Sequence, residues 1–309
     1  HLSSRRQRQM CIRDSLEPAG VHSGDSTAVI PPFSINEENL KEIKEKSKKL
    51  ALGLNVKGLL NIQFAIKDEE LFILEANPRA SRTMPFVAKV TGNQIIKAGT
   101  LLMLGYSIDE VKNNTEYLSS SLNKIAIKKA IFPWSRFPAE DTMLGPEMKA
   151  TGEVLGIGKE FGTALNKAYA AAGVEINNKE KGIFVTLSDD EKPNFIKTIN
   201  KYLELGFTLY TTRGTGEFLK AKGIDSVIVG KADDIGKTSL TIIEDKLVSL
   251  VINTPTYANE LSDGWKIRRL SHETGVAVVS SVREADAFIE AFLNQNLVLD
   301  DLEVIQDVS

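Results

Sequence analysis

NIQFAIKDEELFILEANPRASRTMPF, residues 61–86, is the stretch from which the organisation of this chain reads outward. Two apolar runs, 59–67 and 71–77, flank the polar Asp68, Glu69 and Glu70, the pattern of an antiparallel hairpin. A turn over Asp68, Glu69 and Glu70 pairs Lys67 with Leu71, and counting back sets Gln63 opposite Glu75 and Asn61 opposite Asn77. Side chains alternate along a strand, so these four face one way and Ile62, Phe64, Leu74 and Ala76 the other. Carboxylate and amide oxygens are hard ligands. A small set of them suits Mg²⁺, which completes its shell with water and nucleotide phosphates.

Alternation alone describes any half-exposed hairpin kept soluble by Gln, Glu and Asn. The continuation changes the balance, because Pro78 follows the acidic strand directly and Arg79 and Arg82 lie just beyond it. Arginines beside a carboxylate are suited to gripping phosphoryl oxygens and to neutralising charge in a phosphoryl-transfer transition state.

Around this stretch, a helix from Glu38 to Leu50 sets Leu40, Ile43, Leu50 and Leu54 on one stripe and ends at Gly53. Thr91 to Gly105 reads as a buried helix, Ile125 to Phe132 as a strand, and 133–162 as an ordered but irregular segment. A second rhythm begins near Lys179. Strand-like runs at 183–187, 207–210, 226–229, 248–252 and 276–279 mostly alternate with helical segments, which implies a parallel sheet covered on both faces.

The 309 residues accommodate two domains of ordinary size. A net charge of -3, with no long excess of either sign, argues against a nucleic-acid partner. The sole cysteine, Cys11, excludes an internal disulfide and any cysteine-built zinc site, as suits a reducing compartment. No apolar run approaches the ~20 residues that cross a bilayer, so a soluble, cytoplasmic protein without membrane contact is expected. Residues 1–15, with Arg5, Arg6, Arg8 and Arg13 and no apolar periodicity, are expected to form a disordered or foreign tail outside the fold.

GVHSGDS (20–26), NIQFAIK (61–67), ILEANPRASRTMPFVAKVTG (73–92) and FPAEDTMLGPEMKATGEVLGIG (137–158) together resemble the second ATP-grasp unit of carbamoyl-phosphate synthase large subunits. The resemblance runs over 16–309 and implies an α/β chain: a partial ATP-grasp α+β domain over 16–178, then a parallel-sheet, methylglyoxal-synthase-like (Rossmann-like) domain over 179–309. It implies ATP and Mg²⁺ (or Mn²⁺) as cofactors, with Gln63 and Glu75 touching both nucleotide and metal and Asn77 completing the metal set. Arg79 and Arg82 would face the transferred phosphate, and Gly20, Val21, His22 and Ser23 would line the nucleotide. The implied reaction is phosphorylation of carbamate to carbamoyl phosphate. A glutaminase small subunit is the implied partner, and the full-length protein is expected to oligomerise. No Gly-rich phosphate loop with an ATP-binding lysine precedes the hairpin, so this polypeptide alone is expected to be catalytically inert. Two alternatives stand beside this reading: another ATP-grasp carboxylate–amine ligase, disfavoured by LGPEMKATGEV, and a non-catalytic module that binds a nucleotide monophosphate.

In the second domain four strands end in TLSDDEK, TTRGTG, VGK and NTPT. Ligands of open parallel sheets bind beyond the carboxyl ends of the strands, where Thr212, Thr215, Lys231, Asn253, Thr254 and Thr256 would converge. Backbone amides around Gly214 and Gly216 add phosphate donors. Each ending alone is ordinary turn chemistry, but four in one sheet suggest an anion site. The resemblance adds Lys192 as a phosphate contact and UMP or IMP as the effector. Pro255 departs from the hydroxyl residue of some relatives, and the lack of a Gly-Gly-Asp segment argues for binding without catalysis. Glu17 and Asp25 fall where some relatives bind ornithine; as two loop carboxylates they are expected to be solvated charges.

Overall fold

A computed structural model describes residues 11–115, 124–137, 139–174, 176, 182–254 and 262–294. These form two compact units, one built from the described parts of 1–15 and 28–126, the other from those of 16–27 and 127–297.

In the first unit β1 (Asp14–Ser15) pairs antiparallel with β2 (Ala28–Ile30). The Asp14 carboxylate accepts from Ser34 N at 3.0 Å and Ser34 Oγ at 2.6 Å, and Arg13 donates to Thr83 Oγ1. Residues 11–15 are therefore part of the fold rather than of the expected tail. A two-residue pairing has no periodicity to reveal it, and its anchors lie far away in sequence. Helix α1 (Glu37–Gly53) is capped by Asn36, whose Oδ1 accepts from Asn39 N at 2.8 Å. Of its apolar stripe only Ile43 is buried, and Leu54 is exposed.

The hairpin β3 (Asn61–Lys67) and β4 (Glu70–Asn77) comes next, then α2 (Met84–Thr91), α3 (Ile95–Met103) and α4 (Ile108–Asn114). The buried helix expected over 91–105 is corrected: Gly92, in the left-handed region at φ 66°, ends α2, and α3 starts at Ile95 and buries only Ala98 and Gly99. Its end is on the surface, with Leu104 71% exposed.

In the second unit β5 (Ile125–Ile131) leads through a single 3-10 turn, Trp134–Arg136, to β6 (Gly152–Gly158) and α5 (Phe161–Ala171). The irregular segment expected over 133–162 thus ends at Thr151. The glycines that suggested a loop serve close packing: a Cβ on Gly156 would sit 2.1 Å from Ala164 O, so glycine lets α5 lie on β6.

Then come β7 (Gly182–Thr186), α6 (Lys192–Glu204), β8 (Thr208–Thr212), α7 (Arg213–Lys220), β9 (Val227–Val229), α8 (Thr241–Glu244), β10 (Val248–Asn253), α9 (Asp263–Thr274), β11 (Ala277–Val279) and α10 (Val282–Leu293). The five strands make one all-parallel sheet in the order β11-β10-β7-β8-β9. β10 is buried along its whole length and β7 nearly so, as a sheet covered on both faces requires. Phe184, Val251, Ile242, Ile243 and Ile267 belong to one apolar cluster. Elsewhere α6 meets α10, with Tyr202 Oη donating to Ala285 O at 2.6 Å. The α5 and α10 helices join through Asn166 Nδ2, which donates to Ala291 O at 2.8 Å. Strand order reverses between β7 and β10, the switch point at which open sheets leave a crevice for ligand. No helix of the described residues is long and apolar enough to cross a membrane.

Candidate nucleotide and effector sites

The hairpin puts Gln63 opposite Glu75 and Asn61 opposite Asn77, as the sequence suggests, but by a different route. Lys67 pairs with Glu70 rather than Leu71, so the turn is the shorter Asp68-Glu69, both residues at positive φ (51° and 64°). The missing residue is restored by a register shift between Gln63 and Phe64, where Phe64 meets Ile73 and Leu74 is left as the extra residue. Such a bulge re-aims the side chains beyond it. Because of it, Glu75 and Asn77 land on the same partners that a longer turn would have given them.

Gln63, Asn61 and Asn77 are half-buried and Glu75 is exposed. Helix α1 supports the strand behind them, through Lys46 Nζ donating to Leu71 O at 3.1 Å. None of the Gln63, Glu75 or Asn77 side chains has a hydrogen bond or ion pair among the described residues, so their oxygens remain available. One carboxylate and two amides fit a hard cation that completes its shell with phosphate and water. They do not make a protein-only cage: among the described residues no three His, Cys, Asp or Glu side chains form a metal-binding group. Beyond Asn77 the chain turns, with Arg79 N donating to Asn77 O at 2.8 Å, and Arg79 and Arg82 are both exposed.

The loop 20–26, in the second unit, is internally ordered. His22 N donates to Gly145 O at 2.8 Å, and Gly24 N donates to His22 Nδ1 at 3.0 Å, which makes Nδ1 the acceptor nitrogen of the ring. Lys128, fully buried, donates to Gly24 O at 2.9 Å. Glu17 and Asp25 are not solvated charges. Asp25 is 0% exposed and accepts from Lys149 N at 2.8 Å and Ala150 N at 3.0 Å. Glu17 accepts from Thr27 N at 2.6 Å and Thr27 Oγ1 at 2.7 Å, with Lys129 Nζ 3.7 Å away. Burial works against the Lys129 ammonium, yet Tyr169, Glu17 and Glu284 together hold its pKa above the usual lysine value.

At the carboxyl end of the parallel sheet, hydroxyls interlock across the crevice. Ser188 N donates to Thr254 Oγ1 at 2.7 Å, Leu187 N to Thr215 Oγ1 at 3.1 Å, and Thr254 N to Thr186 O at 3.2 Å. Thr212 Oγ1 reaches Thr215 Oγ1 at 3.3 Å. Lys192 Nζ pairs with Asp189 at 2.5 Å, and a Cβ on Gly214 would meet only that ammonium, at 3.7 Å. Glycine here keeps open the space beside the cation. Asn253 Oδ1 accepts from Arg268 Nη1 at 2.7 Å. Lys192, Thr212, Thr215, Asn253 and Thr254 thus gather at the ends of β7, β8 and β10. Lys231 follows the edge strand β9, where its backbone N donates to Asp234 at 2.7 Å, and Thr256 lies outside the described residues. Sequence reading missed Arg268. The available signal was a pair of adjacent arginines, Arg268 and Arg269, continuing the buried side of α9 beside Ile267.

A polar hairpin followed by Asn-Pro-Arg, in one chain with a five-stranded parallel sheet that gathers hydroxyls and a lysine at its switch point, fits one class: an ATP-grasp element with a methylglyoxal-synthase-like domain. Two family models agree: "Carbamoyl-phosphate synthase L chain, ATP binding domain" matches residues 8–111 and "MGS-like domain" residues 194–280. Among curated relatives, "Carbamoyl phosphate synthase large chain, C-terminal section" of Aquifex aeolicus is 40% identical over 294 residues, 91% of this chain and 54% of the relative. The protein of the same name from Methanocaldococcus jannaschii is 38% identical over 288 residues, 91% of this chain and 46% of the relative. The large chain of Archaeoglobus fulgidus is 39% identical over 301 residues, 96% of this chain and 28% of the relative. Over about nine-tenths of its length the chain is similar to carbamoyl phosphate synthase large chains, and it spans about half the length of the C-terminal-section relatives.

Proposed function

We propose that this chain contributes part of the ATP site of a carbamoyl phosphate synthase, together with a domain that senses a nucleotide monophosphate. The observation that carries the first half is the register of the hairpin, which sets Gln63 against Glu75 with their oxygens uncommitted. In this reading Gln63, Glu75 and Asn77 would hold Mg²⁺ (or Mn²⁺), with Gln63 and Glu75 also touching the nucleotide. The cation would supply charge neutralisation on the phosphates. Arg79 and Arg82 would supply positive charge to the transferred phosphoryl group, and Gly20, Val21, His22 and Ser23 would line the nucleotide. A glutaminase small subunit supplying ammonia, assembly into an oligomer and a cytoplasmic location complete the proposal. The 309-residue polypeptide alone binds without robust turnover. The interlocked hydroxyls beside Lys192 support the second half, binding of UMP or IMP at the β7/β10 crevice, with Lys231 and Thr256 as further contacts.

Calorimetry on the purified chain tests both halves. Glu75→Ala is expected to abolish Mg²⁺-dependent ATP binding and leave UMP binding unchanged, while Lys192→Ala weakens UMP by about tenfold or more. UMP binding without any Glu75-sensitive ATP binding would leave only the non-catalytic module.

A further inference from the structure

We infer that Arg268 is a positioning residue that couples the β7/β10 crevice to the loop 20–26. The inference rests on reading that crevice as a nucleotide-monophosphate site. Arg268 is 8% exposed and all its bonds are directional. Nη1 donates to Asn253 Oδ1 at 2.7 Å, while Nε donates to Asp141 Oδ1 at 2.9 Å and Nη2 to Asp141 Oδ2. A planar guanidinium held bidentately by a carboxylate has one orientation, and that orientation fixes the Asn253 amide. With Oδ1 already accepting, the group Asn253 presents to a ligand is its Nδ2 donor, which suits a phosphate oxygen. Glycine at 264 makes room for this arrangement, since a Cβ there would lie 3.1 Å from Arg268 Nη1 and 3.8 Å from Asn253 Nδ2.

From Asp141 the connections continue inward. Lys149 Nζ donates to Asp141 O at 3.0 Å, and Met143 N to Asp141 Oδ1 at 3.0 Å. The backbone amides of Lys149 and Ala150 hold Asp25 at 2.8 and 3.0 Å, and Gly145 O holds His22 N at 2.8 Å. Arg269 pins the start of the same segment, donating to Trp134 O and Phe137 O at 2.8 Å each. The stretch 134–150, which contains little regular secondary structure, is therefore a strap. One end is tied to α9 by two arginines and the other to the loop 20–26 by the carboxylate of Asp25. Burial opposes the charge on Asp141, yet the bonds from Arg268 and Met143 hold its carboxyl below the usual aspartate value, so the pair stays ionised. A partly buried network in which one guanidinium fork joins an amide to a carboxylate has few alternative arrangements. A ligand that draws the Asn253 amide toward itself must re-aim the Arg268 fork, and the strap moves with Asp141. Coupling of this kind needs a shared element that both sites bias, and the strap is that element.

Hydrogen exchange on the 309-residue chain, with and without uridine 5′-monophosphate, tests the coupling. In the wild type the nucleotide is expected to change exchange at 20–26 by about fivefold or more, alongside changes near Thr212 to Thr215. Arg268→Gln is expected to weaken nucleotide binding and, at saturating nucleotide, to keep the change near Thr212 while losing the change at 20–26. Asp141→Asn, which keeps the shape of the strap, should do the same, and a cooperative melt for each variant shows that it is folded. If folded Arg268→Gln and Asp141→Asn both transmit the full change, the inference is overturned. If the wild type binds the nucleotide and 20–26 stays silent, the inference falls while the effector reading stands. If the wild type binds no nucleotide at all, the effector reading falls and takes the inference with it.

Discussion

The β3–β4 hairpin and the carboxyl end of the parallel sheet both collect oxygen- and nitrogen-bearing side chains, and they hold them in opposite ways. On the hairpin the Gln63, Glu75 and Asn77 side chains make no bond among the described residues and are fixed only by strand register. At the sheet end Thr215, Thr254 and Asn253 are buried and already bonded to one another's neighbours. The difference matches what the proposed function asks of each. Ligands to a hard cation must have lone pairs to offer, and water serves until the cation arrives. A site for an organic phosphate gains from donors set in place beforehand, because ordering them at binding would reduce affinity.

The loop 16–27 is built the second way, and the largest expected effect lies there. Asp25 is fully buried with both oxygens accepting backbone N–H groups, so Asp25→Ala strands two buried donors. Hydrogen bonds to charged groups are worth about 1.5–3 kcal/mol each and unsatisfied buried donors cost more, so a loss of roughly 3 kcal/mol or more in urea-unfolding free energy is expected. Glu75→Ala, on the exposed side of the hairpin, is expected to change stability by less than about 0.5 kcal/mol. Equal losses at the two positions would erase the distinction.

The second unit also holds two buried groups whose titrations oppose each other. Burial, with Lys129, Arg269 and Arg268 adding to it, lowers the pKa of His272 to about 4. Burial, with Glu17 adding to it, raises that of Glu284 to about 7. The histidine is lowered, so its contribution is present above pH ~6.5 and is lost as pH falls toward 4. The glutamate is raised, so its contribution is present below pH ~4.5 and is lost as pH rises through 7. Each shift corresponds to roughly 3 kcal/mol, so between pH ~4.5 and ~6.5 the two slopes offset. Glu284→Gln should uncover a stability that climbs with pH across that window, and His272→Phe one that falls. Two variants with the same slope would show that the pair is not opposed.

How much of this was legible depends on whether the decisive contact is local. The five parallel strands declare themselves because a strand buried on both faces must be a short apolar run, and the runs at 183–187 and 248–252 are just that. The pairing of Gln63 with Glu75 was legible only because two departures cancel: the turn is one residue shorter than the count from the sequence, and the bulge at Leu74 restores that residue. The turn was not, because it uses Asp68-Glu69 where a hairpin of that length usually has glycine at the second position, and a bulge then compensates. Asp14 with Ser34, Arg268 with Asp141 and Lys128 with Gly24 were illegible for another reason: they join residues 20, 127 and 104 positions apart, and no local period encodes them. The same applies to β6, whose glycines read as a loop until α5 is seen lying against them.

The smallest expected effect concerns the hairpin turn. Glu69 sits at φ 64°, a region that β-carbons disfavour. Glu69→Gly converts the turn to Asp-Gly, the pairing this turn geometry prefers, and relieves the strain, although glycine also loosens the unfolded chain. The net gain is expected to be at most about 1 kcal/mol, read as a raised urea midpoint with an unchanged slope. Mg²⁺-dependent ATP binding should not change, because the register that sets Gln63 against Glu75 is fixed by the bulge at Leu74, beyond the turn. If the glycine variant instead binds ATP differently, the turn and the oxygen pair are mechanically linked. The hairpin would then behave as the sheet end does, one bonded assembly rather than a scaffold carrying independent ligands.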